Sequence, residues 1–184
     1  GEPVWESKNP KNWKMTHSSI TPMEFQGTKM YVYCASDGVV GISAENGEIL
    51  WEYPDWQIRI ANVPSPVVVG EGRLFLSGGY DAGSMMLQLD MQDGKIAPKQ
   101  AFRLEPEIFG STQHTPLLYQ GYIYGVRPDG ELVCLDLDGN EVWTSTSAHK
   151  FGLGPYMIAE PYIYVMDDHG LLSRVEATHE EFLL

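Results

Sequence analysis

The sequence is poor in positive charge and has no long apolar run. Lys and Arg total 12 against 25 Asp and Glu, which gives a formal net charge of -13. Such a chain repels phosphate backbones, so we exclude nucleic acid as a partner. No run of about 18 apolar residues occurs, and no basic start precedes an apolar stretch near residue 1. The sequence therefore predicts neither a transmembrane segment nor a signal peptide in this chain.

Cysteine and the familiar catalytic motifs are also scarce. Cys34 and Cys134 fall at different points of the repeat described below, so we expect two buried thiols and no disulfide. The sequence lacks the serine-hydrolase, zinc-protease, Cys-x-x-Cys and phosphate-loop motifs, and its five histidines have no metal-ligand spacing. We therefore expect no catalytic residue, no metal site and no cofactor, which favours a protein that is not an enzyme.

Glycine, proline and tyrosine are by contrast abundant, and they recur in a pattern. Four segments begin with a small residue and proline, at spacings of 44, 50 and 39 residues. These spacings match the length of one propeller blade. Each copy predicts four short strands, A to D in chain order, because alternating apolar runs are separated by turns such as Asn46-Gly47 and Asp138-Gly139. The four segments begin at Thr21-Pro22, Ser65-Pro66, Thr115-Pro116 and Gly154-Pro155.

The repeat predicts an all-β fold, a β-propeller segment of about four four-stranded antiparallel blades. We place the blades at residues 21–64, 65–114, 115–153 and 154–184, with an incomplete outer strand in the last one. Residues 1–20 hold Val4-Trp5, which looks like strand D of a preceding blade, followed by a loop. The chain then resembles a segment of a longer propeller whose open end faces favour self-association. A closed four-bladed ring is the alternative.

A family resemblance lies at the end of each repeat. In three copies strand C is followed by an acidic turn that contains glycine. In the first and third copies a tryptophan comes next, whereas the second copy has Pro98 where tryptophan is expected. The segments are Ala44-Glu-Asn-Gly-Glu-Ile-Leu-Trp51, Leu89-Asp-Met-Gln-Asp-Gly-Lys95 and Leu135-Asp-Leu-Asp-Gly-Asn-Glu-Val-Trp143. This pattern resembles the repeat of the pyrroloquinoline-quinone-like propellers, the quinoprotein superfamily, over nearly the whole chain. The resemblance implies a periplasmic or extracellular bacterial protein.

A ligand site is expected on one face of the propeller. The loops from strand D to the next strand A are long, at residues 6–20, 54–64, 105–114 and 145–153, and they share that face with the B-to-C turns. Aromatic and cationic side chains there are suited to hold an anionic ring, a sugar or a peptide. The candidates are Trp56, Arg59, Asn62, Tyr80, Gln113, His114, Arg127 and His149. The B-to-C turns also bring Asp81, Asp129, Asp167, Asp168 and His169 to this face.

A structural interpretation competes with this one. The aromatic rings of the loops then fill gaps between blades, while Arg59 and Arg127 pair with the surplus carboxylates. For Trp51 and Trp143 we predict only structure, because their fixed place in strand D points to packing between adjacent blades, as in the resembling family.

Two functions remain. The first is a non-catalytic binding or scaffolding propeller that engages a protein, peptide or carbohydrate partner. The second is part of a quinoprotein alcohol or sugar dehydrogenase, with pyrroloquinoline quinone and calcium as cofactors. The resemblance implies that such enzymes stack the quinone between a tryptophan and a disulfide of adjacent cysteines. No adjacent cysteines occur here, so we favour the binding propeller.

Overall fold

Short strands joined by tight turns account for all regular structure in the chain. The computed structural model describes residues 1–184 and holds fifteen strands. No helix in it is long and apolar enough to cross a membrane. The strands are β1 (Thr21–Phe25), β2 (Thr28–Ala35), β3 (Gly38–Ser43), β4 (Ile49–Tyr53), β5 (Val67–Gly70), β6 (Arg73–Gly78), β7 (Gly83–Gln92), β8 (Lys95–Leu104), β9 (Leu117–Tyr119), β10 (Tyr122–Val126), β11 (Leu132–Leu135), β12 (Glu141–Thr144), β13 (Tyr156–Ala159), β14 (Tyr162–Met166) and β15 (Leu172–Glu176).

Each sheet is built from strands that follow one another in the chain. The sheets are β1 to β4, β5 to β8, β9 to β12 and β13 to β15, which we call blades 1 to 4. All pairings are antiparallel, because short turns of two to five residues connect successive strands within each sheet. Blades 1 to 3 have four strands and blade 4 has three. The predicted all-β propeller segment of about four blades is confirmed.

The hydrophobic core lies between the blades. One cluster joins blades 1 and 2, a second joins blades 2 and 3, and a third joins blades 3 and 4. None of these three clusters joins blade 4 to blade 1. The arrangement follows from the period of two in a strand, which sends alternate side chains to opposite faces of the sheet. In β6, for example, Leu74 and Leu76 face blade 1 whereas Phe75 faces blade 3.

Trp51 and Trp143 lie in these clusters. Trp51 belongs to the cluster of blades 1 and 2, and its ring covers Gly41 so closely that the indole leaves no room for a Cβ atom there. Trp143 belongs to the cluster of blades 3 and 4, and its Nε1–H donates a 2.9 Å hydrogen bond to the carbonyl oxygen of Thr178. Both side chains are therefore held between consecutive blades.

Residues 1–20 precede the first strand, and Val4-Trp5 is in no strand. The ring of Trp5 lies on blade 1, where it covers Gly47, and its Nε1–H donates a 3.3 Å hydrogen bond to the carbonyl oxygen of Ala44. The assignment of Val4-Trp5 to strand D of a preceding blade stays a prediction.

Candidate functional site

A cleft lies between blades 2 and 3 on the face that carries the D-to-A loops and the B-to-C turns, which we call the loop face. It has a volume of about 240 Å³ and is formed by the β6–β7 turn, the loop after β8 and the β10–β11 turn. We call it the loop cleft. It is lined by Tyr80, Asp81, Pro106, Glu107, Arg127, Pro128 and Asp129.

The charge of Arg127 is already compensated within the protein. Its guanidinium donates hydrogen bonds of 3.0 Å to Asp129, 2.7 Å to Glu131 and 3.1 Å to Glu141. Partial burial alone would raise the pKa of Asp129, but the N–H of Glu131 and the Arg127 guanidinium outweigh it and lower that pKa. Arg127 thus holds the cleft wall together, as the structural interpretation of the sequence expects.

The other side of the cleft is a turn with a strained backbone. Tyr80 and Asp81 are the two central residues of the β6–β7 turn, and both have positive φ, at 56° and 65°. Four other hairpin turns of this chain also place two residues at positive φ, and in each of them the second residue is glycine. They are Gln26-Gly27, Glu71-Gly72, Asp93-Gly94 and Gln120-Gly121.

A tyrosine followed by aspartate is an unfavourable choice for such a turn. A side chain at positive φ costs about 1–2 kcal/mol, which is why Asn-Gly and Asp-Gly are the usual pairs. The strained turn also carries an aromatic ring that is exposed to water, because Tyr80 is 43% exposed at the cleft. Folding alone does not account for this residue, and strained backbone of this kind is concentrated at functional sites.

A second cleft lies on the same face between blades 3 and 4. Its volume is about 360 Å³, and it shares the Pro128-Asp129 wall with the loop cleft. Lys150 crosses part of it and donates a 2.9 Å hydrogen bond to the carbonyl oxygen of Asp129. The remaining lining residues are Gly130, Phe151, Gly152, Leu153, Asp167, Asp168 and His169. The two clefts lie side by side, with the Pro128-Asp129 wall between them.

Two of the predicted site residues lie in the interior. Trp56 is fully buried in the cluster of blades 1 and 2, and the Arg103 guanidinium lies 5.6 Å from the centre of its ring. Asn62 is only 5% exposed. Neither side chain reaches the surface, so we assign both to the packing of the loop between blades 1 and 2.

The other predicted residues are spread over the loop face. Arg59 and Gln113 are exposed and lie outside both clefts. The Nε2 atom of His114 is 2.9 Å from the carbonyl oxygen of Leu153, so this ring links blades 3 and 4. The exposed ring of His149 lies 5.4 Å from that of Phe182. Of the eight candidates, the structure brings only Tyr80 and Arg127 together in one cleft.

Sequence reasoning missed Pro106 and Glu107 as part of the site. They lie in the predicted loop of residues 105–114, directly after strand β8, but the candidates were chosen among aromatic, cationic and amide side chains, which leaves out proline and glutamate. A usable signal was present in the β6–β7 turn, where Tyr80-Asp81 stands in place of the residue-glycine pair of four other hairpin turns.

A third cleft, of about 280 Å³, is formed in part by the predicted loop of residues 6–20. It is enclosed by residues 7–15 and by the face of blade 1 that is turned away from blade 2. Its floor includes Tyr33, Val40 and Ile42, and Trp13 covers one side. None of the predicted site residues takes part.

The sequence matches the family described as outer membrane protein assembly factor BamB over residues 1–138. The chain belongs to the BamB family. No curated protein sequence matches it. Among solved structures, BamB from Moraxella catarrhalis is 15% identical with a TM-score of 0.54, and the match covers 89% of this chain and 46% of that protein. The chain thus spans less than half the length of that BamB.

A computationally designed protein, Ika4, has a similar fold as well. It is 11% identical with a TM-score of 0.62, and the match covers 97% of this chain and 99% of Ika4. At such low identities these two structures support the fold alone, whereas the BamB family assignment comes from the sequence.

Proposed function

We propose that this chain of the BamB family is a non-catalytic binding propeller that holds a segment of a protein partner in the loop cleft. The observation that carries the proposal is the strained Tyr80-Asp81 turn. Its side chains raise the free energy of the folded state and leave an aromatic ring exposed beside a cleft. Binding of a partner to that ring accounts for both features.

The chemistry of the cleft favours a polypeptide over a glycan. Sugar recognition usually employs aromatic platforms, but Trp56 is buried and Tyr80 is the one aromatic residue in the cleft wall. Tyr80 stands with Pro106 and Pro128, and Ile108 nearby is 41% exposed. A tyrosine among small apolar surfaces is typical of protein interfaces, where tyrosine contributes contact area at low entropic cost.

The charge of the cleft favours a cationic segment. Asp81, Glu107 and Asp129 line it, against the single cation of Arg127, which is bonded to carboxylates. The chain as a whole carries a net charge of -13. An extended segment with lysine or arginine is therefore attracted to the loop cleft and oriented in it.

The family description agrees with a protein partner, since it names an assembly factor for outer membrane proteins. With this support we propose that the chain acts in the periplasm, as a binding subunit that positions another polypeptide. The second candidate, a quinoprotein dehydrogenase, is not favoured. The two cysteines are separate, buried thiols in different blades, so the adjacent-cysteine platform of those enzymes has no counterpart here.

Titration with two synthetic peptides of equal length tests the proposal. One peptide alternates lysine with apolar residues, and the other has glutamate in place of lysine. We expect the lysine peptide to bind and the glutamate peptide not to bind. Tyr80→Ala lowers the affinity at least about fivefold, because a buried interface tyrosine contributes more than about 1 kcal/mol.

Met91→Ala is the matched control. Met91 is 49% exposed near the β7–β8 turn, at the opposite edge of blade 2, and its loss leaves the affinity unchanged. Equal binding of the two peptides, or an unchanged affinity after Tyr80→Ala, contradicts the proposal.

A further inference from the structure

The strained turn of the loop cleft is held by an arginine on the side of blade 1. Arg103 lies on β8, and its Nη2–H donates a 3.1 Å hydrogen bond to the carbonyl oxygen of Ala82, the residue that follows the Tyr80-Asp81 pair. Its Nη1–H donates a 3.4 Å hydrogen bond to the carbonyl oxygen of Asp55, in the loop between blades 1 and 2. The guanidinium therefore ties the turn to that loop.

The Arg103 guanidinium has a rigid support and no competing charge partner. It lies 5.6 Å from the centre of the Trp56 ring, and this ring is fully buried in the cluster of blades 1 and 2. A cation at such a distance is attracted to the face of an indole ring. Arg103 takes part in none of the five salt bridges of the chain. Its donors are therefore directed to the two carbonyl oxygens, which a planar guanidinium reaches together.

Close packing confines the same turn on the side of blade 3. Thr112, in the loop between blades 2 and 3, lies so near to Gly79 that a Cβ atom would have no room there. The N–H of Ala82 donates a 3.2 Å hydrogen bond to the carbonyl oxygen of Gly79, which closes the turn. Among the side-chain hydrogen bonds of the chain, only that of Arg103 reaches residues 79–82. Strained backbone persists where its surroundings fix it in this way.

We propose that Arg103 is a positioning residue for the loop cleft, which keeps the Tyr80-Asp81 turn at positive φ and so holds the Tyr80 ring beside the cleft. The inference rests on the proposed function, in which that ring binds the partner. Four other hairpin turns of the chain keep two residues at positive φ with glycine in second place. The β6–β7 turn has aspartate there and needs an external hold. Arg103 is not part of the cleft lining, so it acts through Tyr80.

Two variants of the full chain, Arg103→Met and Arg103→Lys, test this role in the titration with the lysine peptide. Methionine removes both hydrogen bonds, whereas lysine keeps the charge but lacks the planar fork that reaches both carbonyl oxygens. We expect Arg103→Met to lower the affinity at least about fivefold and Arg103→Lys to lower it less. The direction is informative, because the loss of a positive charge by itself would strengthen the binding of a cationic peptide.

Lys95→Met is the matched control. Lys95 is exposed at the other end of β8 and forms no salt bridge. This variant loses the same charge from the same strand but leaves the turn untouched, so we expect no fall in affinity. A fall as large as that of Arg103→Met overturns the proposal, because the effect would then not depend on contact with the turn.

Two double variants show whether Arg103 acts through the turn. In a Tyr80→Ala background, Arg103→Met should have no further effect on the affinity, because the ring that it positions is absent. In an Asp81→Gly background it should have little effect, because glycine adopts positive φ without support. A full loss of affinity from Arg103→Met in either background overturns the proposal, since a merely structural contribution adds to the other change.

Hydrogen exchange separates a failure of this inference from a failure of the proposed function. The Ala82 amide closes the turn, and we expect it to exchange at least about fivefold faster in Arg103→Met, while amides in the middle of β7 keep their native rates. An unchanged rate at Ala82 overturns the role of Arg103. Faster exchange, together with an affinity that Tyr80→Ala leaves unchanged, supports the hold of Arg103 on the turn and contradicts the proposed function instead.

Discussion

The backbone N–H of Ser65 donates a 2.9 Å hydrogen bond to the hydroxyl oxygen of Thr115, which joins the start of blade 2 to the start of blade 3. The same relation recurs one blade earlier, where the N–H of Ser19 donates a 2.9 Å hydrogen bond to the Ser65 hydroxyl. The hydroxyl residue before proline therefore links successive blades. In blade 4 this position is Gly154, and the His114 ring makes the link by a 2.9 Å contact with Leu153.

Replacement of Thr115 by valine tests this link. The variant keeps the shape of the side chain but removes the acceptor for the partly buried N–H of Ser65. We expect the free energy of unfolding in urea to fall by about 1–3 kcal/mol, the usual cost of an unsatisfied donor. Thr115→Ser retains the hydroxyl and serves as the control. A loss in Thr115→Ser with none in Thr115→Val means that the methyl group, not the hydrogen bond, is what matters.

The tryptophan at the end of blade 3 is predicted to be a major source of stability. Trp143 packs on Tyr124 and Phe182, so Trp143→Ala leaves a cavity between blades 3 and 4. We expect a loss of about 3–5 kcal/mol in the free energy of unfolding, and a similar loss for Trp51→Ala. Trp143→Phe keeps most of the ring but loses the bond to Thr178, and its loss should be smaller. A melting temperature unchanged by Trp143→Ala contradicts this role.

The fold was predictable because it repeats. The proline-led segments and the Asn46-Gly47 and Asp138-Gly139 turns fix strand order and spacing, and turn chemistry is local. The position of residues 1–20 was not predictable in the same way. Trp5 packs by its ring on blade 1, and a sequence does not reveal whether a tryptophan has a neighbouring strand to pair with.

The candidate site was only partly predictable. The loop face follows from connectivity, but whether a loop side chain points outward depends on tertiary packing. Trp56 fills the space between blades 1 and 2, and His114 bridges blades 3 and 4. Tyr80 remains exposed because the backbone of its turn is held at positive φ. Residue type alone does not distinguish these outcomes.

Relief of the strained turn should stabilise the protein. Asp81→Gly removes one side chain from a residue with φ of 65°, so we expect the free energy of unfolding to rise by about 1 kcal/mol. Tyr80→Asn should stabilise the turn as well, because asparagine tolerates positive φ better than tyrosine does. The two variants differ in binding: Asp81→Gly retains the Tyr80 ring and most of the affinity for the lysine peptide, whereas Tyr80→Asn loses it. Destabilisation by both substitutions would show that the turn is not strained.

The buried thiols predict a decline of stability at alkaline pH. Burial raises the pKa of Cys34 from 9.0 to about 12, although a hydrogen bond with Ser18 opposes the shift. Burial likewise raises the pKa of Cys134 to about 12. Between these values the unfolded chain releases the thiol protons and the folded chain keeps them. The free energy of unfolding is therefore unaffected by the thiols below pH 9 and falls as the pH rises from there toward 12, by up to about 1.4 kcal/mol per pH unit for each thiol.

Urea denaturation of the native chain and of a Cys34→Ala, Cys134→Ala variant at several pH values measures this effect. Burial also raises the pKa of Tyr124 and Tyr156, so both proteins lose stability in alkali, and the difference between their slopes isolates the thiols. We expect a shallower slope in the variant above pH 9, and the same slope in both proteins at neutral pH. Alkylation gives a second readout, since both thiols are inaccessible in the folded chain and react only after unfolding. Rapid labelling of Cys34 in the native protein would mean that the contact between blades 1 and 2 opens easily.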